Sequence, residues 1–221
     1  MWDLLRNEHS AIEPIWHVQI TMLGAIILQL LLPDRLVFGS RYLLVAAEFM
    51  LLIALSFTTP RERIFKSLSR RINVVLLVGL SGLANCYSLI VVANKLLGTT
   101  ASAATGRELI LSAVNIYLTN IIIFGLFYWE VDGGGPGARV RAPKHAQDFL
   151  FPQSQNETYK HPQWIPTFID YLYVSSTNAM AFSPTDTLPL SRRAKLLMLL
   201  QATISLITIA LVAARAVNIL H

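Results

Sequence analysis

The chain has 221 residues, of which 54% are hydrophobic and 14% charged. Soluble domains carry about 25% charged residues, so the composition argues against a water-soluble globular protein. The formal net charge is +5, but no basic stripe with interleaved aromatics is present, which argues against nucleic acid as a partner and for Lys and Arg flanking membrane spans.

A helix needs about 20 mainly apolar residues to cross a bilayer. Asp3, Glu8 and Glu13 precede the first apolar run without a cleavage site of small residues, so no signal peptide is expected and the first span is retained. That run goes from Ile15 to Leu32 and stops at Pro33-Asp34. The second, Tyr42 to Phe57, is short and stops at Thr59-Pro60. The third, Val74 to Leu97, has Arg71 before it and Lys95 near its end. The fourth, Leu109 to Trp129, exits on Tyr128 and Trp129, the aromatic pair expected at a headgroup boundary. The last, Ala194 to Leu220, is led in by Arg192, Arg193 and Lys195.

The expected fold is all-α, a polytopic membrane bundle of about five spans. Residues 1–129 form its four-helix region, 130–163 a polar Gly/Pro-rich linker, and 164–221 a short re-entrant helix, a loop and an inner helix. Gly133-Gly134-Gly135-Pro136-Gly137 cannot hold a helix, so the chain leaves the membrane there. The linker is read as a loop with one docked hydrophobic patch at Asp148-Phe149-Leu150-Phe151-Pro152.

Lys and Arg mark cytoplasmic loops. Arg61, Arg63, Lys66, Arg70 and Arg71 put the loop from Thr58 to Ile72 inside. Alternation returns the linker to the same side, and its Arg139, Arg141 and Lys144 agree.

Glu48 lies near the middle of the second run. A carboxylate in lipid costs several kcal/mol unless paired, hydrated or protonated. It is either a proton or cation site, or a protonated structural group bonded to Asn85, Asn94 or nearby backbone. Gly79, Ser81, Gly82, Ala84 and Ser88 suit close helix packing, and Asn115 and Asn120 suit bonds between helices. His9, His17, His145, His161 and His221 show no metal-ligand spacing, and no catalytic signature is present. Neither an enzyme, a metal nor a cofactor is expected.

The last third carries the most information. Thr167 to Asn178 is helical in character, too short to span and too apolar for a water loop, with Asp170 in its first turn. Ala179-Met180-Ala181-Phe182 leads to the helix-breaking Ser183-Pro184-Thr185-Asp186. Irregular backbone at membrane depth must be covered by protein or line a cavity. Gln201, Ser205, Thr208, Val212 and Arg215 then share one helix face. That stripe is either a polar helix–helix interface or the wall of a water path.

Short helix, polar loop and long inner helix resemble the pore module of the potassium-channel superfamily. Asp170-Tyr171-Leu172-Tyr173-Val174-Ser175, Thr185-Asp186, Arg192-Arg193 and Val217-Asn218 resemble the C-terminal half of a bacterial multi-pass membrane family of unknown function. The resemblance covers the last third best, and Asp148 to Pro152 shares it. It implies an oligomer, a tetramer if channel-like, in a bacterial inner (plasma) membrane. The loop from Thr177 to Pro184 has no glycine, so the carbonyl ladder of a potassium filter is not expected.

The first functional expectation is therefore a weakly selective cation channel passing small inorganic ions. Thr177, Asn178, Ser183 and Asp186 would form its filter-like part, with Gln201, Ser205 and Thr208 lining the path. The alternatives are a non-conducting scaffold or partner-binding protein, and a small proton-coupled transporter using Glu48. By loop alternation the hairpin enters from the cytoplasmic side; if 166–185 crosses completely, there are six spans.

Overall fold

The computed structural model describes residues 16–33, 41–58, 68–97, 106–139, 147–155, 164–180 and 186–219. Its helices in chain order begin with α1 (Trp16–Leu30), α2 (Arg41–Thr58), α3 (Leu68–Leu97) and α4 (Gly106–Val131). A 3-10 turn at Asp132–Gly134 leads to the short α5 (Pro136–Arg139). Strand β1 (Phe149–Leu150), the short α6 (Pro152–Gln155), α7 (Phe168–Met180), strand β2 (Leu188–Pro189) and α8 (Arg192–Ile219) follow. The described part of the chain is mostly helical, and among the described residues three helices are long and apolar enough to cross a membrane: Ile72–Lys95, Arg107–Gly134 and Arg192–Ala214. Trp16–Leu30 is a shorter apolar helix.

The side chains sort as lipid demands. Leu83, Leu196 and Leu199 are 73%, 66% and 64% exposed, whereas Ser81, Glu48 and Gln201 are each 0% exposed. Water would reverse that arrangement; hydrocarbon favours apolar surface outside and mutually bonded polar groups inside.

Helix α4 is the central post. It packs against α1, α3, α7 and α8, while α2 rests on α1 and α3. Asn115 donates to the Leu28 carbonyl of α1 at 2.6 Å, and Asn120 donates to Ser205 Oγ of α8 at 3.0 Å. Both are the interhelical bonds their sequence positions suggested.

Helix α7 lies against the second half of α4. Its start is set by Asp170, whose Oδ2 accepts from the Thr167 amide and hydroxyl at 2.7 and 2.8 Å. Gly125 allows the close approach, since a Cβ there would stand 3.2 Å from Leu172 Cα. One turn on, Ser175 Oγ donates to the Ile121 carbonyl at 2.6 Å. Tyr171 meets Asp132, so α7 runs from the end of α4 toward its middle. The chain then comes back: Leu188 pairs with Leu150 and Pro189 with Phe149, antiparallel. It enters and leaves at the same end of α4. Ser191 Oγ accepts from the Ala194 amide at 3.1 Å and caps α8.

The linker holds more structure than a loop. Gly133, Gly134 and Gly135 have φ of +60, +84 and +100, a left-handed run that side chains resist. It turns the chain sharply, so Phe149 and Phe151 dock at 0% and 4% exposure. Phe149 meets Tyr128 at 5.2 Å between ring centroids, Phe151 meets Tyr171 at 5.2 Å, and Trp129 meets Phe168 edge-on at 6.2 Å. Each such pair contributes about 0.5–1.5 kcal/mol beyond burial. Tyr128 and Trp129 are thus 0% and 2% exposed. They are not the boundary-facing pair expected, because Phe149 of the docked linker packs on Tyr128 and Phe168 of α7 packs on Trp129.

Candidate functional site

Among the described residues three buried polar centres are present. The first joins α7, α4 and α8 around Gln201. Its Nε2 donates to Ser175 O at 2.9 Å and to Ser175 Oγ at 2.6 Å. Its Oε1 accepts from Tyr128 Oη at 2.5 Å and from Asn178 Nδ2 at 2.8 Å. Asn178 also donates to the Met198 carbonyl at 3.0 Å. Both ends of the Gln201 amide are thus used within one chain.

The second centre ties the linker to the bundle. Asp132 Oδ1 accepts from the amides of Asp148 and Phe149 at 2.6 and 3.2 Å, and Oδ2 accepts from the Tyr171 hydroxyl. Arg139 Nη1 stands 4.0 Å from Asp132 Oδ2 and donates to the carbonyls of Trp129 and Asp132 at 2.8 and 3.0 Å. Its guanidinium lies 4.8 Å from the Tyr171 ring centroid. Burial pushes the Tyr171 phenol well above its ordinary range, so it stays protonated and donates. The Arg139 charge, counted in the sequence as a mark of a cytoplasmic loop, is instead buried at 4% exposure as a staple. At the edge, Arg193 Nη2 reaches Asp148 Oδ1 at 3.7 Å.

The third centre lies among α1, α2 and α3. Glu48 Oε1 accepts from Ser81 Oγ at 2.6 Å and from Gln29 Nε2 at 3.1 Å. Glu48 Oε2 and Gln29 Oε1 are buried with no hydrogen-bond partner. The partners expected for a structural role were Asn85, Asn94 or nearby backbone. Asn85 instead donates across to the Ile116 carbonyl at 3.2 Å, and Asn94 is exposed. Helical spacing explains the exchange: Ser81 and Asn85 stand one turn apart, and α2 lies level with the former.

The residues singled out for a pore divide as follows. Thr177 Oγ1 donates to its own helix, at Tyr173 O (2.9 Å) and Val174 O (3.0 Å). Asn178 and Gln201 bond each other, and Ser205 bonds Asn120. Thr208 is buried and donates to Ile204 O at 2.7 Å. Asp186 is exposed beside β2. Ser183 and the Arg215 side chain lie outside the described residues. The stripe on α8 is, within this chain, a polar seam against α4 and α7.

Sequence reasoning missed Gln29, Asp132 and the role of Arg139. Gln29 had a usable signal, as a polar residue inside an apolar run. Asp132 had none beyond standing before three glycines. Among the described residues no group of three or more His, Cys, Asp or Glu could hold a metal ion. Comparison with family models, curated proteins and solved structures finds no match to this chain.

Proposed function

We propose that the chain is an integral membrane protein of five spans and one half-membrane hairpin that carries a proton or small monovalent cation, with Glu48 as the binding group. The observation that carries this reading is the state of Glu48: near the middle of an apolar helix and 0% exposed, it is bonded through one carboxylate oxygen and keeps the other without a partner. The groups around Gln201 have partners, and the unpartnered Arg139 Nε lies at the linker end of α4 and belongs to a cation. Ionisable groups inside a membrane bundle are expensive and mark ion pathways. Ser81 and Gln29 hold Oε1 in place, which leaves Oε2 for the ion. A single carboxylate balances one positive charge, which favours a monovalent ion over a divalent one.

The hairpin then serves the architecture. Helix α7 has 13 residues and rises about 20 Å, short of a hydrocarbon core of about 30 Å. Its polar side chains anchor it to α4 and α8, and its return strand seals the end where Asp132 sits. By the Lys/Arg rule that end faces the cytoplasm of a bacterial cell.

A channel-like homo-oligomer is the second reading. What favours it is the outer face of α7, where Ile169, Tyr173 and Met180 are 61%, 63% and 59% exposed and could meet other copies of the chain. Purified protein in planar bilayers separates the two. The carrier reading predicts no unitary current. Stepwise currents altered by Asp186→Asn and indifferent to Glu48→Gln would transfer the function to the hairpin.

A further inference from the structure

We infer that Glu48 is held as a neutral acid paired side by side with the Gln29 amide, so the ion of this site is a proton. The inference rests on the carrier reading only for its use in transport; the chemistry of the pair stands by itself. A carboxylic acid and a primary amide can pair through two bonds: the amide N–H donates to the acid carbonyl, and the acid O–H donates to the amide carbonyl. One half is present, with Gln29 Nε2 donating to Glu48 Oε1 at 3.1 Å. The other half consists of the two atoms that lack partners, Glu48 Oε2 and Gln29 Oε1. Both are acceptors when the acid is ionised. A single proton on Oε2 converts one of them to a donor and supplies the other, so one particle removes both deficits.

The surroundings agree. Ser81 Oγ donates to the same Oε1 at 2.6 Å, which makes Oε1 a double acceptor, the pattern of an acid carbonyl. The side chains that bond Glu48 are Gln29 from α1 and Ser81 from α3, both uncharged; among the described residues no cation pairs with it. An ionised carboxylate sealed at 0% exposure among neutral groups carries a desolvation cost that the neutral acid avoids. A metal cation of sodium or potassium size takes more oxygens than the two left over here.

Infrared spectroscopy of the purified full-length protein in phosphatidylcholine vesicles tests the pairing. The expected result at neutral pH is a protonated-carboxyl C=O band that shifts in heavy water and on ¹³C-glutamate labelling. It should be absent in Glu48→Gln and unchanged in Asp186→Asn. In Gln29→Leu it should move to higher frequency, as the acid loses its partner. If Glu48→Gln does not fold, the isotope shift and the Gln29→Leu displacement still decide the matter. An ionised carboxylate at neutral pH, or a band abolished by sodium or potassium chloride, overturns the inference. The band without proton movement across vesicles would remove the carrier reading and leave the pairing; sodium-dependent flux with an ionised Glu48 would do the reverse.

Discussion

At the scale of single residues, the fully bonded side chains that hold the bundle stand apart from Glu48, the group proposed to bind the ion. Asp132 receives two backbone amides and a phenol beside a buried guanidinium. Asp132→Ala leaves Arg139 charged and buried without its counter-ion, so a loss of about 3–5 kcal/mol is expected. Tyr171→Phe removes one donor while the amides remain, and should cost about 1 kcal/mol. Thermal unfolding of the purified protein in detergent, followed by circular dichroism, checks the order of the two; equal losses would show that Tyr171 and not Arg139 dominates the node. Gln201→Ala strips partners from Tyr128, Asn178 and Ser175 together. It should destabilise by about 1–3 kcal/mol without altering proton movement. Glu48 was legible in the sequence because a lone carboxylate in an apolar run is conspicuous. Its partners were not, since the run gives a residue's depth but not which neighbouring helix lies level with it.

At the scale of elements, the hairpin depends on two backbone features. Helix α7 is admitted to the face of α4 by Gly125, where a Cβ would meet Leu172 at 3.2 Å. Gly125→Leu should push the two helices apart at a cost of about 1–3 kcal/mol, and protease cleavage near residues 181–190 should rise as the hairpin lifts. Unchanged cleavage would mean that the hairpin is held by its polar bonds alone. The glycine turn at 133–135 is the other feature, and its positive φ values fold the linker back onto Tyr128. Helix positions were readable from apolar run lengths: Phe168–Met180 falls where a short helix was expected, and the span from Leu109 to Trp129 lies within α4. The docking of the linker was only partly readable. Phe149 and Phe151 suggested an apolar patch, but neither the two-residue strand pairing nor the burial of Arg139 follows from local sequence, because both depend on contacts between segments far apart in the chain.

At the scale of the whole molecule, apolar surface faces outward and the carboxylate sits in a polar centre among α1, α2 and α3. Topology has its own consequence. Cysteines placed at the exposed positions 153 and 186, in a background with Cys86 replaced, should be labelled from one side of the membrane. Labelling of 153 and 186 from opposite sides would make α7 part of a complete crossing. The most direct test of the central claim, that Glu48 carries the transported ion, is the initial rate of proton entry into proteoliposomes holding a pH-sensitive dye, driven by a potassium gradient and valinomycin. The account predicts entry above that of empty vesicles for the wild type and Asp186→Asn, a reduced rate for Glu48→Asp, and the empty-vesicle rate for Glu48→Gln. Wild-type entry that persists undiminished in Glu48→Gln would contradict it.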